Sequence, residues 1–225
     1  MDKQVLFELA YFFDFGILNG VFALKAVKLS KKFGQRTVFS DINLELNTGD
    51  SIAITGSNGS GKSTLLKLLV KIMRPSKGEV IHLAAGKALD ENNFRTNVSF
   101  VSPYLNLYDQ LSGEENLNFF AAVRGGNITG KELESLLEKV GLAKRGLDLV
   151  ATYSTGMKQR LKYALALSNK PKFLFLDEPM SALDDGGKEI VKKIIEELRG
   201  QCVIILATNE KEEYALGRQQ CRLGQ

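Results

Sequence analysis

The chain has no tryptophan, one histidine and two cysteines in 225 residues. Cys202 and Cys221 form no Cys-x-x-Cys pair, which excludes a thiolate metal site and gives no reason to expect a disulfide. A reduced, cytosolic protein is the simple expectation. The lone histidine, His82, lies in "GEVIHLAAG", away from every motif, and reads as a surface or sheet residue rather than a ligand. Excess charge of one sign is small too. The net charge is +4 with basic residues scattered, so nothing marks a nucleic-acid partner. Repeats and low-complexity tracts are absent, and one folded unit is expected over residues 25–225.

One apolar stretch is long. Val5 to Leu24 reaches the length of a membrane span, but Glu8, Asp14 and Asn19 interrupt it. The preceding Met1-Asp2-Lys3 lacks the positive flank of a secretory signal. Residues 1–24 are therefore expected to be an extension, packed on the domain or poorly ordered. A segment lying at a membrane face, or a start assigned too early, are the alternatives.

What is present is an ordinary globular composition, 44% hydrophobic and 25% charged. "VFSDINLELNTGD" alternates and ends in a turn, as an antiparallel strand does. "SIAIT" (Ser51–Thr55), "KFLFLDEP" (Lys172–Pro179) and "CVIILAT" (Cys202–Thr208) are short apolar runs suited to buried parallel strands. Between them, helical periodicity marks Lys62–Met73, "EENLNFFAAVRGG", "KELESLLEKVGLA", "GMKQRLKYALALSNK" and "GKEIVKKIIEELRG". Strands alternating with helices predict an α/β fold with a mainly parallel sheet and an antiparallel N-terminal part. The helix-rich stretch at about 104–170 is expected to be an inserted helical subdomain.

The chemistry begins at "TGSNGSGKST". Gly56-x-x-x-x-Gly61-Lys62-Ser63 is a P-loop pattern in its required strand–loop–helix setting. Backbone N–H groups of Gly56, Ser57, Asn58, Gly59, Ser60, Gly61, Lys62, Ser63 and Thr64 can wrap phosphate oxygens at a helix start. Lys62 can reach the terminal phosphates, and the Ser63 hydroxyl can hold Mg²⁺. At the end of the apolar run, Asp177 is placed to bind Mg²⁺ through water and Glu178 to act as general base. No Asn-Lys-x-Asp guanine-reading motif occurs; "NKPK" at Asn169–Lys172 lacks the aspartate, so ATP is favoured.

"YSTGMKQRL", Tyr153 to Leu161, resembles the signature motif of ABC ATPases. "SALD" (Ser181–Asp184) matches their D-loop. With the P-loop and the Asp177–Glu178 pair, the resemblance covers essentially Lys25–Thr208 in the family's order. It implies a P-loop NTPase fold and an ATP-driven dimer, homodimeric or pseudo-symmetric. In such a dimer Ser154, Thr155, Gly156 and Met157 contact the nucleotide held by the other subunit. Phe33 matches the adenine-stacking aromatic. A separate transmembrane permease is the implied partner, which places the subunit peripherally on the cytoplasmic face of the inner or plasma membrane. The short form looks similar to haem-exporter subunits of cytochrome c maturation, implying export. A soluble assembly ATPase of the iron–sulfur scaffold type and a degenerate ATP-binding switch are the alternatives.

Two positions depart from the family pattern. Pro103 stands where the Q-loop glutamine is expected, leaving the Ser102 hydroxyl as the nearest substitute. Asn209 stands where the switch histidine is expected; its amide can donate to the γ-phosphate but carries no charge. Turnover would then rest on Glu178 and the signature contact, at a reduced rate. The partner-facing surface is expected near Tyr104–Phe120.

Overall fold

The computed structural model describes residues 21–224. The notable apolar stretch therefore lies, up to residue 20, outside the described residues. Its last residues belong to the fold: strand β1 runs Phe22–Phe33, three residues earlier than the expected start at Lys25, and Leu24 is fully buried.

Two sheets form. The first is antiparallel, in the order β2 (Arg36–Asn47), β1, β4 (Lys77–Ala84) and β5 (Lys87–Ala88). The second holds five parallel strands, in the order β6 (Val98–Val101), β7 (Phe173–Asp177), β8 (Val203–Ala207), β3 (Ser51–Thr55) and β9 (Gln219–Arg222). Every residue of β3, β7 and β8 is buried, which is what their unbroken apolar runs require.

Alternate side chains of these strands feed two cores. Phe173, Phe175, Val203 and Ile205 pack with Leu65, Leu66, Leu68 and Leu69 of helix α1 (Lys62–Leu69) and with the antiparallel sheet. Leu174, Leu176, Ile204 and Leu206 face helices α5 (Thr155–Ser168) and α6 (Asp185–Leu198). The same second core takes in Leu117 of α3 (Gly113–Val123) and Leu133 and Leu137 of α4 (Gly130–Lys139). Helices α3 and α4 thus share a core with the sheet. Each buried leucine contributes roughly 1.5–3 kcal/mol by leaving water.

Local chemistry sets the helix ends. Capping boxes start α3 (Ser112 with Glu115) and α4 (Thr129 with Glu132). Asp184 caps α6 by accepting from the Gly187 N–H at 2.8 Å. Helix α1 ends at Leu69, short of Met73, because the chain turns through Val70 and then Lys71 at positive φ. Helix α2 (Glu91–Asn97), capped by Asp90, and the edge strand β9 carry no strong periodicity and are findings of the structure.

His82 is a sheet residue, one of its two expected placements, and the surface placement is corrected. It sits on β4 and is fully buried, not superficial, with its ring centroid 4.3 Å from that of Phe94 and 5.0 Å from that of Phe173. Neither ring nitrogen has a hydrogen-bond partner. Cys202 and Cys221 are both free. Burial pushes the Cys202 thiol up to about 12, so it stays protonated and inert.

Candidate nucleotide site

The parallel register brings three chain segments to one edge of the sheet. β7 and β8 pair Asp177 with Ala207, and β8 and β3 pair Ala207 with Ile54. The P-loop leaves β3, Glu178 follows β7 and Asn209 follows β8 at the same carboxyl end, the usual place for a ligand in an α/β sheet.

Glycine is required in the loop. Gly56 has φ 146°, and a Cβ there would stand 2.5 Å from the Leu223 carbonyl oxygen. Gly61, at φ 101°, would drive a Cβ into the Val38 side chain. Leu223, whose N–H donates to the Thr55 carbonyl at 2.8 Å, thus supports the loop from the far end of the chain. Ser57, Asn58 and Gly59 are exposed at its tip. Buried Lys62 turns its ammonium inward, donating to the Gly56 and Ser57 carbonyls at 2.9 and 3.0 Å. The buried Ser60 Oγ has no partner. Lys62 therefore lies inside the curl of the loop, and an incoming phosphate would offer it a stronger acceptor than two carbonyls.

The Ser63 hydroxyl donates to Asp177 Oδ1 at 2.9 Å. Burial raises the Asp177 carboxyl above its usual range; the Ser63 bond opposes that, and Glu178 adds to it. A hydroxyl beside a buried carboxylate, both next to the P-loop lysine, is the oxygen donor set that Mg²⁺ takes. Glu178 itself is exposed, at φ 48°, with its N–H held by the Ala207 carbonyl at 2.8 Å. Glu178 and Asn209 line one cleft of about 380 Å³ with Asn58, Ser181 and Thr208. Thus the P-loop tip and the expected base and switch positions meet.

The remaining positions lie elsewhere. Ser154 and Thr155 are exposed at the start of α5, where Ser154 Oγ accepts from the Met157 N–H at 3.2 Å. Gly156 and Met157 are half-buried behind them. Thr155 lines a second cleft, of about 610 Å³, with Pro103, Gln159, Lys162 and Ser181; no residue of the P-loop lines it. Phe33 is half exposed on the antiparallel sheet, with the Lys31 ammonium 4.9 Å from its ring centroid, so it is not a core residue. Pro103 is exposed; Ser102 beneath it is buried.

Two residues escaped the sequence reading. Tyr163, fully buried on α5, donates to the Pro179 carbonyl at 2.7 Å, next to Glu178. Lys162 beside it donates to the Ser102 and Pro103 carbonyls. A lysine next to the apolar run Tyr163–Leu167 of this helix was the available signal.

A family model described as "ABC transporter" matches residues 39–181, which include the P-loop, the signature and the Asp177–Glu178 pair. This chain belongs to the ABC transporter family. It is an ATP-binding subunit of that family and an ATPase. The aliphatic sulfonates import ATP-binding protein SsuB 3 of Pseudomonas syringae pv. tomato is 37% identical over 199 residues, 88% of this chain and 70% of that protein. The lantibiotic transport ATP-binding protein SrtF of Streptococcus pyogenes is 33% identical over 186 residues, 83% of this chain and 79% of that protein. A solved dimeric bacterial ABC transporter cassette superposes with a TM-score of 0.74 at 25% identity, covering 89% of this chain and 94% of that one. Among the described residues of this cassette, no helix is long and apolar enough to cross a membrane.

Proposed function

We propose that the cassette works as a nucleotide-sandwiching dimer that drives a separate membrane permease from its cytoplasmic face. One observation carries this reading. The signature residues Ser154 and Thr155 are exposed at a helix start, an anion-binding terminus, and Thr155 lines a cleft that no residue of its own P-loop shares. A second copy's nucleotide is the natural anion for it. That a solved cassette of similar fold is dimeric supports a dimer here.

In this reading ATP enters the P-loop, Lys62 exchanges the Gly56 and Ser57 carbonyls for phosphate oxygens, and Phe33 stacks on the base. Ser63 and Asp177 would hold Mg²⁺, which supplies charge neutralisation on the phosphates when bound. Glu178 takes a proton from the attacking water, and Asn209 donates to the γ-phosphate from the same cleft. Ser154, Thr155, Gly156 and Met157 close on the nucleotide from the twin. Binding energy thereby joins the two subunits, hydrolysis removes the joint, and the permease follows by differential affinity.

Export and haem, expected from the short form of the sequence, are not part of the proposal. The named relatives concern aliphatic sulfonate import and lantibiotic transport. Cargo and direction reside in the permease.

The test is affinity capture of the full tagged chain from detergent-solubilised native membranes with ATP and vanadate. A multi-helix membrane protein recovered in stoichiometric amount is expected. Recovery of the cassette only from the soluble fraction, bound to no membrane protein, would sink the permease reading in favour of a soluble assembly ATPase.

A further inference from the structure

Lys162 is an odd residue to bury. Only 8% of it is exposed, and none of the ion pairs among the described residues includes it. Desolvation lowers its pKa. A methionine would fill similar space without that cost. What the ammonium does have is two main-chain acceptors, the carbonyls of Ser102 and Pro103, at 3.1 and 3.0 Å.

Those carbonyls belong to the segment that passes the nucleotide site. β6 and β7 are in parallel register, Val101 opposite Leu176, so Ser102 follows at the level of Asp177. This is where the family pattern expects a glutamine side chain to reach into the site. Proline at 103 has neither that side chain nor an N–H. Side-chain hydrogen bonds to the Ser102 and Pro103 carbonyls come from the other side, from Lys162, while Asn116 and Lys158 hold Tyr108 and Asp109 further along.

Helix α5 carries the signature at its start and Lys162 eight residues on, about 12 Å along the axis. The turns from Tyr163 onward, just past Lys162, are anchored. Tyr163 donates to the Pro179 carbonyl at 2.7 Å, and Ser99 Oγ on β6 donates to the Ala166 carbonyl at 2.9 Å. Lys162 thus sits between the signature end and these anchors, at the point where a tilt of the signature end meets the Ser102 and Pro103 carbonyls.

We propose that Lys162 is a positioning residue for the hydrolytic site, a main-chain latch that replaces the missing Q-loop glutamine. It ties the movement of α5, as the signature closes on nucleotide, to the Ser102–Pro103 segment beside Asp177. The inference rests on the sandwich reading above, in which the signature moves toward nucleotide.

Lys162→Met and Lys162→Arg in the full chain test it by steady-state turnover and by amide exchange of the 104–108 segment with and without ATP and Mg²⁺. Lys162→Met is expected to lower kcat about 10²-fold, as a misplaced reacting geometry does. KM should stay within about threefold, since ground-state binding is untouched. The nucleotide-dependent change in exchange should vanish in Lys162→Met and return in Lys162→Arg, which keeps donors for both carbonyls. A Lys162→Met chain with wild-type kcat and wild-type exchange response overturns the proposal. Should Lys162→Met fail to fold, Lys162→Arg decides: recovery of both readouts sustains the latch, and failure to fold there too makes Lys162 a stability residue and overturns it. A wild-type chain without turnover would count against the sandwich reading, and the exchange response alone would then decide the role of Lys162.

Discussion

The Ser63 hydroxyl, on the first turn of α1, donates to the Asp177 carboxylate at 2.9 Å, joining residues 114 positions apart in the chain. Neither would be drawn there by packing alone. Asp177 is buried at the end of β7, where losing water raises its pKa. The fold holds a costly carboxylate where a metal would repay it.

Replacing that charge separates function from stability. A carboxylate with a raised folded-state pKa is favourable while protonated, and that contribution is lost as pH rises through the folded value. Near neutral pH the ionised Asp177 is therefore a burden on the nucleotide-free fold. Asp177→Asn should raise the melting temperature without nucleotide and make ATP affinity, measured by calorimetry, insensitive to Mg²⁺.

Glu178 sits exposed in the cleft shared with Asn209 and Asn58. Glu178→Gln keeps its shape and removes the base. Steady-state hydrolysis should fall by roughly 10²–10⁴-fold, while ATP still binds and the dimer accumulates on size exclusion. Unchanged turnover would remove Glu178 as the base.

Asn209 offers its cleft a neutral donor where the family pattern expects a histidine. Asn209→His adds a group that carries charge near neutral pH. Turnover should rise in that variant and fall in Asn209→Ala, with KM for ATP nearly constant in both. Equal kcat in all three chains would show that position 209 does not touch the phosphate.

At the start of α5, Ser154 is exposed and does no more locally than accept the Met157 N–H at 3.2 Å. Losing that cap costs about 1 kcal/mol, too little to unfold the domain. Ser154→Arg should leave ATP binding to the isolated subunit intact, yet abolish ATP-driven dimerisation and turnover together. Multi-angle light scattering with and without ATP reads the first, phosphate release the second.

Much of the parallel sheet and the P-loop was legible in the sequence, because buried strands and helix α1 leave simple patterns: "FLFLD" and "VIILA" are continuous, and Leu65, Leu66, Leu68 and Leu69 repeat at helical spacing. Strand β9 was not legible, since an edge strand with exposed Gln219 and Gln220 has no apolar signature. Helix α2, with Phe94 its one buried residue, is too short and polar for periodicity to show. The P-loop and the acids after β7 are local strings, and so were readable. Lys162 reaching across 60 residues to Ser102 is a tertiary pairing, which no local string records. The burial of His82 escaped notice for a similar reason: a histidine in a sheet strand is polar by type, and only the aromatic rings around it show that it faces inward.

Those rings give His82 a measurable consequence. Burial, with Lys71 adding to it, lowers its pKa from 6.5 to about 3, so the native ring stays neutral where the unfolded chain takes up a proton. The unfolded state binds more protons throughout that window, and stability must fall as pH drops from about 6.5 toward 3. For this one group the slope approaches 1.4 kcal/mol per pH unit. His82→Leu removes the titrating group and two unpartnered ring nitrogens, and should flatten the acid limb of stability measured by urea unfolding between pH 6.5 and 4. An unchanged limb in that variant would mean that His82 is reached by water in the native protein.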